Sequence, residues 1–151
     1  LIRALEAADA QQIFAIISDL QAHDPGGFTG RHWTAEDVIE ECRNRGWVDL
    51  SPTGDIDSFI LMRDVGDAEE VTFLATRLGL QRSGRMRHLL IHGLKNVASV
   101  GNGELKKEVW LEVHEQNSAA LRLYESIGFR EVGRRLRYYS NGGTAILYSY
   151  R

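Results

Sequence analysis

The sequence predicts an α/β fold, a mixed sheet with helices on both faces, and three observations carry that prediction. The hydrophobic pattern switches between the strand repeat and the helix repeat in the order β-α-α-β-β-β-α-β-α-β-β, the succession expected of a layered α/β architecture. The chain has 151 residues, 26% charged and 43% apolar, which suits one globular core. No repeat, linker or low-complexity segment interrupts it, so residues 1–151 read as a single domain.

Leu1 to Leu5 reads as the first strand. A helix is predicted from Asp9 to about Ala22, with Ala10, Ile13, Phe14 and Ile17 on one face. Asp24 through Gly30 is a loop, and a second helix follows from Thr34 to about Arg45, opened by Thr34 and Asp37 as a variant of the capping box. Trp47 to Leu50 is a short strand and residues 52–55 a turn. Phe59 to Val65 and Glu70 to Thr76 form a hairpin around Gly66-Asp67. From Gly84 to about Val100, Met86, Leu89, Leu90, Gly93, Leu94 and Val97 recur at helical spacing. Val109 to Val113 is apolar and β-branched, a mostly buried strand whose Trp110, Glu112 and His114 share one face because strand side chains alternate. Asn117 is a good N-cap for a helix carrying Ala120, Leu123, Tyr124 and Ile127 as one apolar stripe. Gly128 and Phe129 fit a Schellman ending. Glu131 to Tyr139 and Ala145 to Tyr150 close the chain as a pair of strands around Asn141-Gly142-Gly143.

Composition excludes several function classes. No apolar run approaches membrane-span length, so no membrane partner is expected. The net charge of −3 argues against bulk nucleic-acid binding. The single cysteine, Cys42, fits a reducing cytoplasm and reads as a helix residue, not a nucleophile. The five histidines lack metal-ligand spacing; His88 and His92 lie four apart without an acidic or cysteine partner, so no metal is expected. Charge is nevertheless uneven. Residues 1–70 carry fifteen Asp/Glu against five Lys/Arg, and residues 71–151 six against thirteen. The later part thus suits an anionic ligand and the earlier part a cationic one, unless the two halves interleave in space.

Two segments carry chemistry. The first, residues 110–129, holds a strand glutamate (Glu112), a helix-start asparagine (Asn117) and a helix tyrosine (Tyr124): a proton acceptor and a proton donor on adjacent rigid elements. By periodicity alone, a tyrosine on an apolar stripe is ordinarily core and a strand glutamate ordinarily solvated or paired. The second segment, residues 81–86, lies where a strand ends and a long helix begins. Free N–H groups at a helix N-terminus attract anions, Gly84 allows close backbone approach, and Arg82, Arg85 and Arg87 add charged donors. Alone, this is an ordinary arginine-rich helix start.

The run N-x-x-A-x-x-L-Y-x-x-x-G-F from Asn117 to Phe129 resembles the last motif of the GNAT N-acetyltransferase superfamily, and within it the likeness is strongest to the ribosomal-protein-alanine (protein N-terminal) acetyltransferases. Gln81 and Gly84 match that superfamily's phosphate loop; Met86 stands where the family places a small residue. Ile2-Arg3 and Trp33-Thr34-Ala35-Glu36 also resemble it, so the similarity covers most of the chain, being specific mainly from Val71 to Tyr139. The resemblance implies a GNAT-like, mostly antiparallel sheet and acetyl-CoA as acetyl donor. It implies that the backbone of Leu74, Ala75 and Thr76 pairs with the pantetheine arm. It further implies that Arg82, Ser83, Gly84, Arg85, Met86 and Arg87 cradle the pyrophosphate and that Asn117 contacts the cofactor. Glu112 would be the general base and Tyr124 the acid toward the leaving thiolate.

The implied activity is acetyl transfer to a primary amine, with a cationic peptide or protein N-terminus as acceptor. Polyamine or aminoglycoside-like acetylation and a non-catalytic acetyl-CoA-binding module are the alternatives. The end of the chain departs from the ribosomal-protein enzymes: Tyr138-Tyr139 is present, but Gly143-Thr144-Ala145 replaces an acidic pair that borders the acceptor groove in relatives. Acetyl transfer is therefore better supported than the protein acceptor. The acidic residues Asp19, Asp24, Glu36, Asp37, Glu40 and Glu41 argue for a cationic one.

Overall fold

The computed structural model describes residues 1–24, 30–100, 105–139 and 141–151. Its elements run β1 (Ile2–Ala4), α1 (Ala10–Ala22), α2 (Ala35–Glu41), β2 (Arg45–Leu50), β3 (Ile56–Asp64), β4 (Ala68–Thr76), α3 (Arg85–Lys95), β5 (Ser99–Val100), β6 (Leu105–Lys106), β7 (Glu108–His114), α4 (Ser118–Ile127), β8 (Arg130–Arg135) and β9 (Ala145–Tyr150). A 3₁₀ turn, Ala7–Asp9, precedes α1. Seven strands form one sheet in the order β1-β2-β3-β4-β7-β9-β8. All neighbours are antiparallel except β4 and β7. β5 and β6 form a separate two-stranded hairpin.

Alternation along the central strands divides the core between the two faces. Ile60 and Met62 of β3 pack with Leu89, Leu90 and Leu94 of α3 and Tyr124 of α4. Phe59 and Leu61, one residue out of phase, pack with Ile13 and Ile17 of α1 and Val38 of α2. A strand buried on both faces reads as a continuous apolar run, as 59–62 does.

Several boundaries differ from the sequence expectation, each for a tertiary reason. The second helix stops at Glu41, because the chain turns at Arg43 and Asn44 and Arg45 already pairs with Met62. The third helix ends at Lys95: Asn96 folds its amide back onto the His92 carbonyl, and residues 99–100 enter the β5–β6 hairpin. The strand expected over 131–139 is β8, which ends at Arg135; Arg137 has φ 53°, and the Tyr138 and Tyr139 N–H groups both donate to the Gly143 carbonyl. The loop predicted at 24–30 lies largely outside the described residues.

Candidate active site

The site is built where the parallel pair comes apart. β4 and β7 are bonded only from Ala68 to Glu70 and from Glu108 to Trp110. Beyond Glu70, β4 pairs only with β3, and beyond Trp110, β7 pairs only with β9. The reason is a bulge. The β3–β4 register steps from Leu61↔Phe73 to Met62↔Val71, leaving Thr72 as an extra residue on β4. A bulge bends and twists its strand, and this one falls where pairing with β7 stops. Thr72 is held by bonds from its hydroxyl to Glu41 Oε2 (3.0 Å) and the Leu61 carbonyl (3.3 Å), so α2 braces the bend. The result is a V-shaped opening between residues 71–76 of β4 and 111–114 of β7. Each strand leads into a helix whose N-terminus lies at the open end, the usual ligand position in a sheet with parallel strands.

On the β4 side, Leu74, Ala75 and Thr76 line the opening. Leu74 packs into one core face and Ala75 into the other, as alternation requires. The loop after β4 tightens through Leu80 N–H to the Arg77 carbonyl and Ser83 Oγ to the Leu80 carbonyl (2.7 Å). α3 then starts at Gly84 with φ 81° and no side-chain cap. Among the described residues, the backbone N–H groups of Arg85, Met86 and Arg87 have no protein acceptor. An uncapped helix start with three free donors and a positive dipole end is an anion cradle. A Cβ on Gly84 would meet nothing within 4 Å, so the approach is open. The Met86 side chain is half-buried against the core cluster.

The arginines expected here divide. Arg82 is exposed. Arg87 donates to Ser126 Oγ (2.6 Å), tying α3 to α4. Arg85 turns away: its guanidinium lies 3.3 Å from buried Asp57 and 3.7 Å from Asp49, and Arg77 holds the other Asp57 oxygen at 2.8 Å. Of Arg85, only the backbone faces the cradle; the side chain anchors the helix start to β2 and β3.

On the β7 side, Asn117 caps α4 through Oδ1 to Ala120 N–H (3.3 Å), leaving its NH₂ for a ligand. The helix closes with both Schellman bonds, Gly128 N–H to Glu125 O and Phe129 N–H to Tyr124 O. Tyr124 is buried, its ring against Phe129 and Tyr148. Burial, then the neighbouring Tyr139, pushes its phenol well above the ordinary value, so it is a neutral donor at working pH.

Glu112 is part-exposed on β7, 3.5 Å from the Arg135 guanidinium of β8. Tyr138 and Tyr139 gather around it. The Glu112 charge, then burial and a hydrogen bond to Glu112, raise the Tyr138 phenol. Burial, then Glu112 and Tyr138, push Tyr139 up to about 12. The Tyr139 ring stacks on buried His114 at 4.8 Å, and Gly30 of the α1–α2 loop lies close enough that a Cβ there would meet the ring at 3.7 Å. His114 Nδ1 accepts the Gln116 N–H (3.1 Å) and Nε2 faces Asn141 Oδ1 (3.2 Å). Gly143 lies so close to this ring that a Cβ there would collide with it. Tyr139 is thus the electrostatic neighbour of both Glu112 and Tyr124. Strand alternation puts His114 on the Glu112 face, but no local pattern in the sequence marks Arg135, His114 or Asn141 as part of this cluster.

Other reactive groups lie elsewhere. Burial, then the charges of Asp9 and Glu41, push the Cys42 thiol up to about 11, consistent with an inert helix-end residue. No helix among the described residues is long and apolar enough to cross a membrane.

No protein-family model matches the chain. It is 36% identical over 90 residues to the [ribosomal protein bS18]-alanine N-acetyltransferase of Escherichia coli K12, a match covering 60% of this chain and 58% of that protein. The crystal structure of the ribosomal-protein-S18-alanine N-acetyltransferase from Escherichia coli superposes with a TM-score of 0.77 and 26% identity, covering 99% of this chain and 91% of that one. A GNAT-family acetyltransferase from Streptococcus pneumoniae superposes with a TM-score of 0.78 at 19% identity, covering 99% and 97%. The chain has the GNAT acetyltransferase fold. The sequence match spans little more than half of the curated relative, whereas the structural match is nearly end to end. The bulge, the splayed strands and the uncapped helix start adjoin one another: the bulge falls where β4 leaves β7, and the free N–H groups of α3 follow the loop after β4.

Proposed function

We propose that residues 1–151 form one N-acetyltransferase domain that moves an acetyl group from acetyl-CoA to a primary amine, with a protein N-terminal amine as the favoured acceptor. The observation that carries this reading is the splay of β4 from β7 between two helix N-termini, with a carboxylate and a protonated phenol on its far wall. Similarity to a ribosomal-protein-alanine acetyltransferase supports the acceptor class.

Acetyl-CoA supplies the acetyl group as a reactive thioester. The residues present fit it. The free N–H groups of Arg85, Met86 and Arg87 and the open approach at Gly84 suit the pyrophosphate, with exposed Arg82 and the Ser83 loop beside them. Leu74, Ala75 and Thr76 have no strand partner on the side away from β3, which suits an extended arm, and the Asn117 amide that caps α4 has its NH₂ to offer. Glu112 takes the ammonium proton, directly or through water; an α-amine with an ordinary pKa near ~8 needs only modest help. Backbone donors at the splay stabilise the developing oxyanion. Tyr124 donates its proton toward the leaving sulfur. A lone buried thiol and the absence of a membrane-spanning helix among the described residues fit a cytoplasmic setting.

An acceptor screen with free-thiol detection tests this, with peptides bearing a free α-amine set against polyamines. Thiol release with peptides supports the reading; release only with polyamines moves the acceptor; acetyl-CoA binding in calorimetry without turnover on any amine removes the catalytic reading.

A further inference from the structure

One cation on the acceptor side has a placement that the fold does not require. Arg135 ends β8, an edge strand, and its side chain is 55% exposed with free choice of direction. It nevertheless turns inward. Its guanidinium lies 3.5 Å from a Glu112 carboxylate oxygen and 5.4 Å from the centre of the Tyr138 ring. Tyr138 is half-exposed and meets Tyr139 edge-on at 5.3 Å. Tyr139 is itself held by its stack on buried His114. A carboxylate beside a half-exposed aromatic face, backed by a fixed second ring, is a corner that attracts cations. The groups facing Glu112 are Arg135 from β8, Tyr138 and Tyr139 from the segment after it, and His114 on its own strand.

We propose that Arg135 is an internal placeholder for the acceptor: its guanidinium fills the Glu112–Tyr138 corner, and a cationic primary amine enters by displacing it. This rests on the acetyltransferase reading for the amine but not for the cation corner itself. A protonated amine is the acceptor form that can make the exchange, because it replaces one positive charge by another on Glu112. A neutral molecule would leave Arg135 in place. The device also keeps the carboxylate compensated when no acceptor is bound. An ion pair with one partner more than half exposed is weak enough to yield.

The test uses Arg135→Gln and Arg135→Lys. With a validated peptide acceptor, Arg135→Gln should lower KM roughly two- to fivefold, the strength of an exposed ion pair, with little change in kcat. Arg135→Lys keeps a cation near Glu112 and should remain close to wild type. Ethylguanidinium, titrated without acetyl-CoA into ring-labelled tyrosine protein, should shift the Tyr138 resonance at lower concentration in Arg135→Gln than in wild type. Equal KM and equal ethylguanidinium titrations in the two proteins would overturn the placeholder, and so would a raised KM, which would make Arg135 an acceptor-binding group. If no amine turns over but the titrations differ as expected, the placeholder stands and the acetyltransferase reading fails.

Discussion

At the residue scale, Glu112 and Tyr124 show how one side chain's environment sets its chemistry. Tyr124 is enclosed by Phe129 and Tyr148, and enclosure holds its proton on. As a purely structural ring it would tolerate loss of the hydroxyl. As the proton donor it would not. Tyr124→Phe and Glu112→Gln are each expected to lower turnover by about 10²-fold while leaving the thermal midpoint nearly unchanged. Steady-state rates and a melting curve on the same preparations check this, and wild-type rates in both variants remove the proton-transfer roles. Gly143 is a packing constraint of the opposite kind. The His114 ring occupies the space of its missing Cβ, so Gly143→Ala should cost about 1–3 kcal/mol in denaturant unfolding through overpacking. The same change should disturb Tyr139, which His114 supports.

At the element scale, the start of α3 carries the anion site. Gly84 has φ 81°, a conformation that costs an L-residue roughly 1–2 kcal/mol. A side chain there projects into open space, so Gly84→Asp acts on ligand binding by charge and by the altered backbone, not by a clash within the protein. Calorimetry should give a much weaker acetyl-CoA affinity for a folded Gly84→Asp protein; an unchanged affinity would move the phosphate site elsewhere. Met86 belongs to the opposite face of the same helix. Met86→Gly should lower stability by about 2 kcal/mol, from lost packing and poorer helix propensity, with no large gain in acetyl-CoA affinity. Arg85 couples these elements, since its bonds to Asp57 and Asp49 hold the helix start against β2 and β3.

At the scale of the whole molecule, charge governs both acid stability and acceptor choice. Buried Asp9 receives both guanidinium nitrogens of Arg3 at 2.9 Å and the Glu6 N–H at 2.8 Å. Burial alone would raise its carboxyl, but the Arg3 bonds and the backbone donor outweigh burial and hold it below the usual carboxylate range. A carboxyl depressed on folding contributes stability above its unfolded value, about 3.9, and that contribution is lost as pH falls through the folded value. Denaturant midpoints measured from pH 6 downward should therefore drop below about pH 4, and Asp9→Asn should flatten that limb after an initial loss at neutral pH. Ion pairing in three dimensions also changes how a cationic acceptor is attracted. Asp37 is paired with Arg31 at 3.0 Å and Glu40 with Arg43 at 3.2 Å, while Glu41 serves Thr72. Fewer of the early carboxylates are thus available to attract a cation than the count in sequence implies. Glu112 is itself paired with Arg135 and attracts a cation only as that pair opens, so the attraction is short in range, and KM for a cationic peptide should rise with salt as the Debye length shortens to about 8 Å at physiological strength.

What the sequence determined by itself is local. The Thr34–Asp37 capping box, the Asn117 cap, the Schellman ending at Gly128 and the α3 stripe as far as Leu94 all depend on residues within a few positions, and each forms as expected. The shared face of Glu112 and His114 and the element order, apart from the β5–β6 hairpin, follow from the same short-range periodicity. What only the tertiary structure decided involves partners far apart along the chain. The Thr72 bulge appears when β4 is set against β3, and no local pattern marks it. The turn of Arg85 away from the anion site depends on Asp57, and the occupancy of Glu112 depends on Arg135. The physical reason is range: helix caps and stripes are satisfied within a turn or two of backbone, whereas strand register and ion pairs are chosen only when distant segments have already met.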